Sequence, residues 1–179
     1  SFPGAQDISL AETITGLGIA GEDDVASFME NIESVTVTDP EVVSLTQTEE
    51  DWSFRILKDS AMQESLTISM ANETVYTIAT NAEGETETTS DDKTVVVSTE
   101  NDFYLPEEAN AYAETLTDAE HEAAVATVQE QEADTGDVSG YQVFDIGLET
   151  VDPEQYEGFQ VEVKLDEEVA GKEFKLYQV

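Results

Sequence analysis

Cysteine is missing altogether from the 179 residues. That removes disulfide scaffolds, cysteine nucleophiles and thiolate metal sites. It suits cytosolic proteins and also the exported proteins of many Gram-positive bacteria. Positive charge is nearly as scarce. Six Lys and Arg stand against 42 Asp and Glu, a formal charge of -36. Such a polyanion repels phosphate backbones and anionic headgroups, so neither nucleic acid nor membrane insertion is expected. A basic protein surface or a cation is attracted instead. Self-repulsion costs stability, weakens with salt and favours a soluble monomer. Two settings account for such acidity: a cytosol at molar salt, and the outside of an anionic cell wall. No run is long and apolar enough to read as a membrane helix. The abrupt start and the strand-like "EFKLYQV" close make an excised fragment of a longer protein the expectation.

What is present is a 39% hydrophobic complement, arranged in runs that a disordered chain would lack. The polar, acidic stretch "NAEGETETTSDDKT", 81–94, reads as a linker or a long exposed hairpin. It divides the chain into a helix-plus-antiparallel-sheet domain, 1–84, and a β-rich domain, 85–179. In the first, Leu10, Ile14 and Leu17 have weak helical spacing. Val25, Phe28, Met29 and Ile32 give a short helix over 23–32. "SVTVTDPEVVSLTQ", "DWSFRILK" and "ESLTISMANETVYTIAT" alternate like strands, the last as two arms about an Asn72–Glu73 turn. Leu66, Ile68 and Met70 should face one way, with Val75, Ile78 and Tyr76 packing beyond the turn.

In the second domain "KTVVVST" is a strand, and 109–116 alternates like another. Thr117 and Glu120 have capping-box spacing and open a helix over about 118–130 with Ala119, Ala123, Val125 and Val128 as its apolar stripe. "EADTGDVSG" is a loop. "YQVFDIGLETV", "GFQVEVKL" and "GKEFKLYQV" complete the sheet. The expected fold class is mainly β with short helices (α+β): two small antiparallel domains, β-sandwich-like or sheet-plus-helix.

The stretch "VVVSTENDFYLPEEANAYAETLT", the acidic helix, "YQVFDIGLETVDPEQYEGFQVEVKL" and "GKEFKLYQV" together resemble a repeated module of large surface proteins of gut Firmicutes. There a strand leads to "PE-x-A", an acidic helix, an "FDI" strand (here Phe144, Asp145 and Ile146), an "xEPxG" turn and a "V-x-V-x-L" strand. The turn matches through Pro153, Glu154 and Gly158, and "DPEQYEG" is an expanded form of it. Asp51–Trp52 and the 64–80 hairpin resemble the preceding domains of such proteins. The likeness runs from about Ser34 onwards. It implies an extracellular, wall-tethered, multidomain bacterial surface protein. Its modules space domains or bind host ligands, some as immunoglobulin-binding superantigens.

No residue pattern demands catalysis. His121 is the only histidine, on a charged helix face, and no G-x-S-x-G elbow accompanies it. Carboxylates are too many for any glycosidase-like pair to stand out. "GLGIAG", 16–21, matches G-x-G-x-x-G by spacing but follows a helix-like segment without a βαβ unit, so a flexible turn is expected. No cofactor is expected. Calcium is the one metal considered, through "GEDD", "TEED", "SDDK" and "DTGD", none with EF-hand spacing. Lys93, Lys164 and Lys172 raise the option of isopeptide crosslinks, which need a lysine packed in a core.

Aromatics are the usual interface anchors. Tyr156 in its acidic turn, with Phe103 and Tyr104 at a strand end, is the expected partner-binding set; period-two alternation makes Trp52, Phe54 and Ile56 core. The expected function is a non-catalytic extracellular binding or spacer module engaging a host protein, with immunoglobulin as the specific candidate. The charge alone leaves a second reading, an acidic structural or enzyme domain of a halophile.

Overall fold

A computed structural model describes residues 1–132, 140–165, 171, 173 and 175–179. The chain divides into two compact units. The first holds 1–86, 99–107 and 152–158; the second holds 87–98, 108–151 and 159–179. The first cut falls within three residues of the expected boundary. The later chain, however, enters the first unit twice more.

The first unit contains β1 (Phe2–Pro3), β2 (Ile8–Ser9), α1 (Leu10–Gly16), α2 (Val25–Glu30), β3 (Ile32–Val37), β4 (Val43–Gln47), β5 (Trp52–Ile56), β6 (Ser65–Met70), β7 (Val75–Ala79) and β8 (Ala82–Glu83). They form two three-stranded sheets, β2-β5-β4 and β3-β6-β7, and a small parallel pair of β1 with β8. All neighbours in the larger sheets run antiparallel. One core joins both sheets and α1. Leu10, Ile14, Val43, Phe54, Ile56, Leu66 and Ile68 are each at most 2% exposed.

Local chemistry explains the start of α1. Ser9 accepts from the Glu12 N–H and donates its hydroxyl to Asp51 Oδ2 at 2.6 Å. Asp51 Oδ1 also accepts from the N–H groups of Ala11 and Trp52. One carboxylate thus ties the first turn of the helix to the head of β5, where the exposed N–H groups favour an anion. The short helix expected over 23–32 stops at Glu30, because Ile32 already pairs with Met70 in the β3–β6 ladder. Val75 is 57% exposed rather than packed. The strand period puts Tyr76, Ile78 and Thr80 inward and Val75 outward.

The second unit contains β9 (Glu87–Thr89), β10 (Val95–Thr99, its last residue in the first unit), β11 (Asn110–Thr115), α3 (Asp118–Gln131), β12 (Phe144–Glu149) and β13 (Phe159–Val163). The sheets are β13-β10-β9 and the antiparallel pair β11-β12. Its core is far smaller: Val95, Val97 and Ala111, with Ala113, Ile146, Leu148, Phe159 and Val163 against them.

The acidic stretch 81–94 is thus neither a linker nor wholly exposed. β8 and β9 lie in it, Ser90 is buried, and Asp92 accepts from Ser90 and Thr94 to close the β9–β10 turn. Those hydrogen bonds hold the Asp92 carboxyl below its ordinary pKa. Thr117 makes no side-chain cap bond, so the capping-box expectation fails. The buried side of α3 is also rotated from the expected stripe. Ala119 and Ala123 are exposed, while Ala124, Val125 and Val128 turn inward. The "EADTGDVSG" loop lies almost wholly outside the described residues. In "GKEFKLYQV" the described residues carry no strand, and Lys172 and Phe174 lie outside them.

Phe54→Ala should lower the unfolding free energy by about 3–5 kcal/mol, because Phe54 is sealed between α1 and both sheets. Val97→Ala in the smaller core should cost less, about 1–3 kcal/mol. Chemical denaturation of each variant measures both.

Candidate functional site

The structure does bring Phe103, Tyr104 and Tyr156 together, but inside the first unit. Phe103 and Tyr104 are 8% and 5% exposed, and Tyr156 is half-buried. The Phe103 and Tyr156 rings meet edge-on at 5.9 Å. The Tyr156 hydroxyl donates to the Tyr104 carbonyl at 3.2 Å, and Lys58 Nζ sits 5.3 Å above the Phe103 ring. The Tyr104 hydroxyl donates to the Ala82 carbonyl, and its backbone N–H donates to Leu57.

The Tyr104 ring lies against Gly4 and Gly84, where a Cβ would fall 2.5 and 2.8 Å from ring carbons. Only glycine lets the backbone beside β1 and β8 approach the ring this closely. The three aromatics expected as binding anchors pack together in the first unit. Tyr104, in segment 99–107, joins the core of the first unit, while Phe103 and Tyr156 pack on each other.

Burial lifts the Tyr104 phenol above its ordinary pKa, and the nearby Asp59 adds to the shift. Burial likewise lifts Tyr156. Each fold contact requires the neutral phenol, so its contribution is complete below the unfolded pKa, about 10. It is lost as pH rises through the higher folded value.

His121 is half-buried on α3, with Nε2 3.3 Å from the Tyr141 carbonyl. A carbonyl only accepts, so this contact selects the tautomer with Nε2 protonated. No serine or carboxylate bonds to it among the described residues. Of the calcium candidates, "GEDD", "TEED" and "SDDK" are described and "DTGD" lies outside the described residues. Among the described residues, no three Asp, Glu or His side chains converge as a metal site. Lys93 sits exposed at the β9–β10 turn and Lys164 is exposed beyond β13, whereas an isopeptide lysine needs a core. Lys172 lies outside the described residues. The "GLGIAG" segment forms the end of α1 and the turn after it, with Gly18 at φ +72°, so a turn is what those glycines make.

A different surface emerges from the register of β3, β6 and β7. Ser34 pairs with Ser69, which pairs with Val75. Thr36 pairs with Thr67, which pairs with Thr77, and Ser65 pairs with Ala79. These residues alternate with the buried Val35, Leu66, Ile68, Met70 and Ile78, so they share the outward face. None of these paired residues is charged, in a chain where 27% of residues are; the exposed Glu33 stands at the irregularity between Ile32 and Ser34. The hydroxyls of Thr36, Thr67 and Thr77 make no hydrogen bond within the described protein, leaving them for water or a partner.

The sequence signal for this face is the alternation of "SVTVT", "SLTISM" and "VYTIA". Comparison with protein-family models, curated proteins and solved structures finds no match to the chain. Among the described residues no helix is long and apolar enough to cross a membrane.

Tyr104→Ala should cost about 3–5 kcal/mol by truncating a buried aromatic. Gly84→Ala should also destabilise, because the new methyl meets the ring itself. Stability followed by denaturation from pH 8 to 11.5 should fall above about pH 10. Tyr104→Phe should flatten that fall while losing the bond to Ala82.

Proposed function

We propose that the chain is a non-catalytic extracellular binding or spacer module of a bacterial cell-surface protein, engaging a host protein. Immunoglobulin is the first ligand class to test. The observation that supports it is the uncharged outward face of β3, β6 and β7. Centres of protein interfaces are depleted in charge. Burying an unpaired carboxylate costs several kcal/mol. On a chain of formal charge -36, a set of paired outward positions without ionised groups, with Glu33 standing only at the bulge of β3, can be covered by a partner at little desolvation cost. The acids elsewhere on the surface would speed encounter with a basic partner.

The likeness to surface modules of gut Firmicutes supports the same reading and an extracellular location. No cofactor enters it. Tyr156, Phe103 and Tyr104 are released from the contact role, and Thr36, Thr67 and Thr77 take it.

The halophile reading keeps one support, an acidic surface with few internal ion pairs. Arg55 with Asp7 is the single salt bridge among the described residues. A halophilic domain should unfold when salt is lowered to the millimolar range, whereas the module should keep its circular dichroism spectrum there.

Immobilised chain should retain immunoglobulins sharing a variable-gene type, whatever their antigen, from serum or mucosal secretions. Thr36→Glu combined with Thr77→Glu should weaken that retention at least tenfold in biolayer interferometry. Its unfolding midpoint should stay close to that of the parent. If no host protein is retained under any condition, spacing rather than binding is the role.

A further inference from the structure

A groove of about 570 Å³ opens in the first unit between the turn after α1, helix α2 and the β6–β7 turn. That volume lies within the range of small-ligand sites. One wall is aromatic: the rings of Phe28 and Tyr76 lie 5.4 Å apart at 59°. Residues 18–21, Asn31 and Asn72 also line it.

The only charged side chain lining it is Asp24. Asp24 occupies the position before α2 yet makes no side-chain cap bond, and no cation pairs with it among the described residues. Its carboxylate is exposed to water and held by no protein group among the described residues. Glu22 and Asp23 are exposed beside it. The positive end of the six-residue α2 amounts to at most about half a charge, less than these three carboxylates supply.

An aromatic wall, an uncommitted carboxylate and amide acceptors form the chemistry that receives an organic cation. Cations are drawn to ring faces, more strongly where water is excluded. We propose that this groove receives the cationic end of an arginine or lysine side chain presented by a protein partner. The proposal rests on the reading of the chain as a binding module and adds the partner's chemistry. It does not involve the neutral sheet face.

The test is a ¹⁵N-labelled chain titrated with N-acetyl-arginine amide at fixed ionic strength, followed by amide shifts. Shifts should saturate in the millimolar range and concentrate at residues 18–21, Asp24, Asn31 and Asn72. The neutral isostere N-acetyl-citrulline amide should leave those amides unmoved. Asp24→Asn should weaken the arginine probe at least fivefold. Glu122→Gln, which removes the same charge from an exposed site on α3, should change it less than 1.5-fold. Phe28→Leu should also weaken it, through loss of the ring face.

Shifts that grow linearly across the whole acidic surface, or equal effects of Asp24→Asn and Glu122→Gln, would overturn the proposal. So would equal binding of the citrulline probe, or no binding. The probe contains no part of a host protein, so failure here removes the groove alone. Failure of the immunoglobulin measurement removes the binding-module reading.

Discussion

The constraint on which everything else rests is that 42 carboxylates must stay hydrated while the chain still buries a core. An ionised carboxylate in an apolar interior costs more than most side-chain contacts return. The fold obeys by strict alternation. Leu66, Ile68 and Met70 go inward from β6, and the residues between them go outward. Glu64 is the one buried acidic side chain among the described residues, and Ser60 donates to it. Elsewhere the acids lie in turns, on the helices and at outward strand positions such as Glu33, Glu114 and Glu162, where water reaches them. Where an acid does enter a packed region, it works as a hydrogen-bond acceptor. Asp51 gathers Ser9, Ala11 and Trp52 around one carboxylate and so joins helix to sheet.

The same constraint explains why the two units differ in solidity. In the first, large apolar residues from six elements and the returning Tyr104 reach one centre. The second has Val95, Val97 and Ala111 fully inside and a helix whose inward residues are mainly Ala124, Val125 and Val128. Alanine offers little area to remove from water, so this unit draws less hydrophobic stabilisation per residue. It is the part in which salt should matter most relative to packing.

The sequence pattern revealed a good deal of the fold because period-two alternation is a direct imprint of one buried and one wet face. β5, β6 and the mainly β class were legible for that reason, whereas the helix from Asp118 was read from a stripe of which only Val125 and Val128 turn inward. What alternation could not show was long-range return. Nothing local to "NDFYLP" or "DPEQYEG" tells that both segments go back to the first unit, since that depends on glycines at 4 and 84 leaving room for a ring. Hence the aromatics there read as exposed anchors and are in fact packed. The uncharged face had the opposite fate. Its residues are individually unremarkable serines and threonines, and only pairing across three strands assembles them into one surface.

The chain's double return also bears on how the molecule is made. A ribosome emits residues 1–86 first, yet the ring that closes their core arrives at Tyr104, and the turn that braces Phe103 only at Tyr156. The core of residues 1–86 therefore lacks the ring that packs on Gly4 and Gly84 until Tyr104 has been added. A net charge of -36 repels like copies and so opposes their association before that closure.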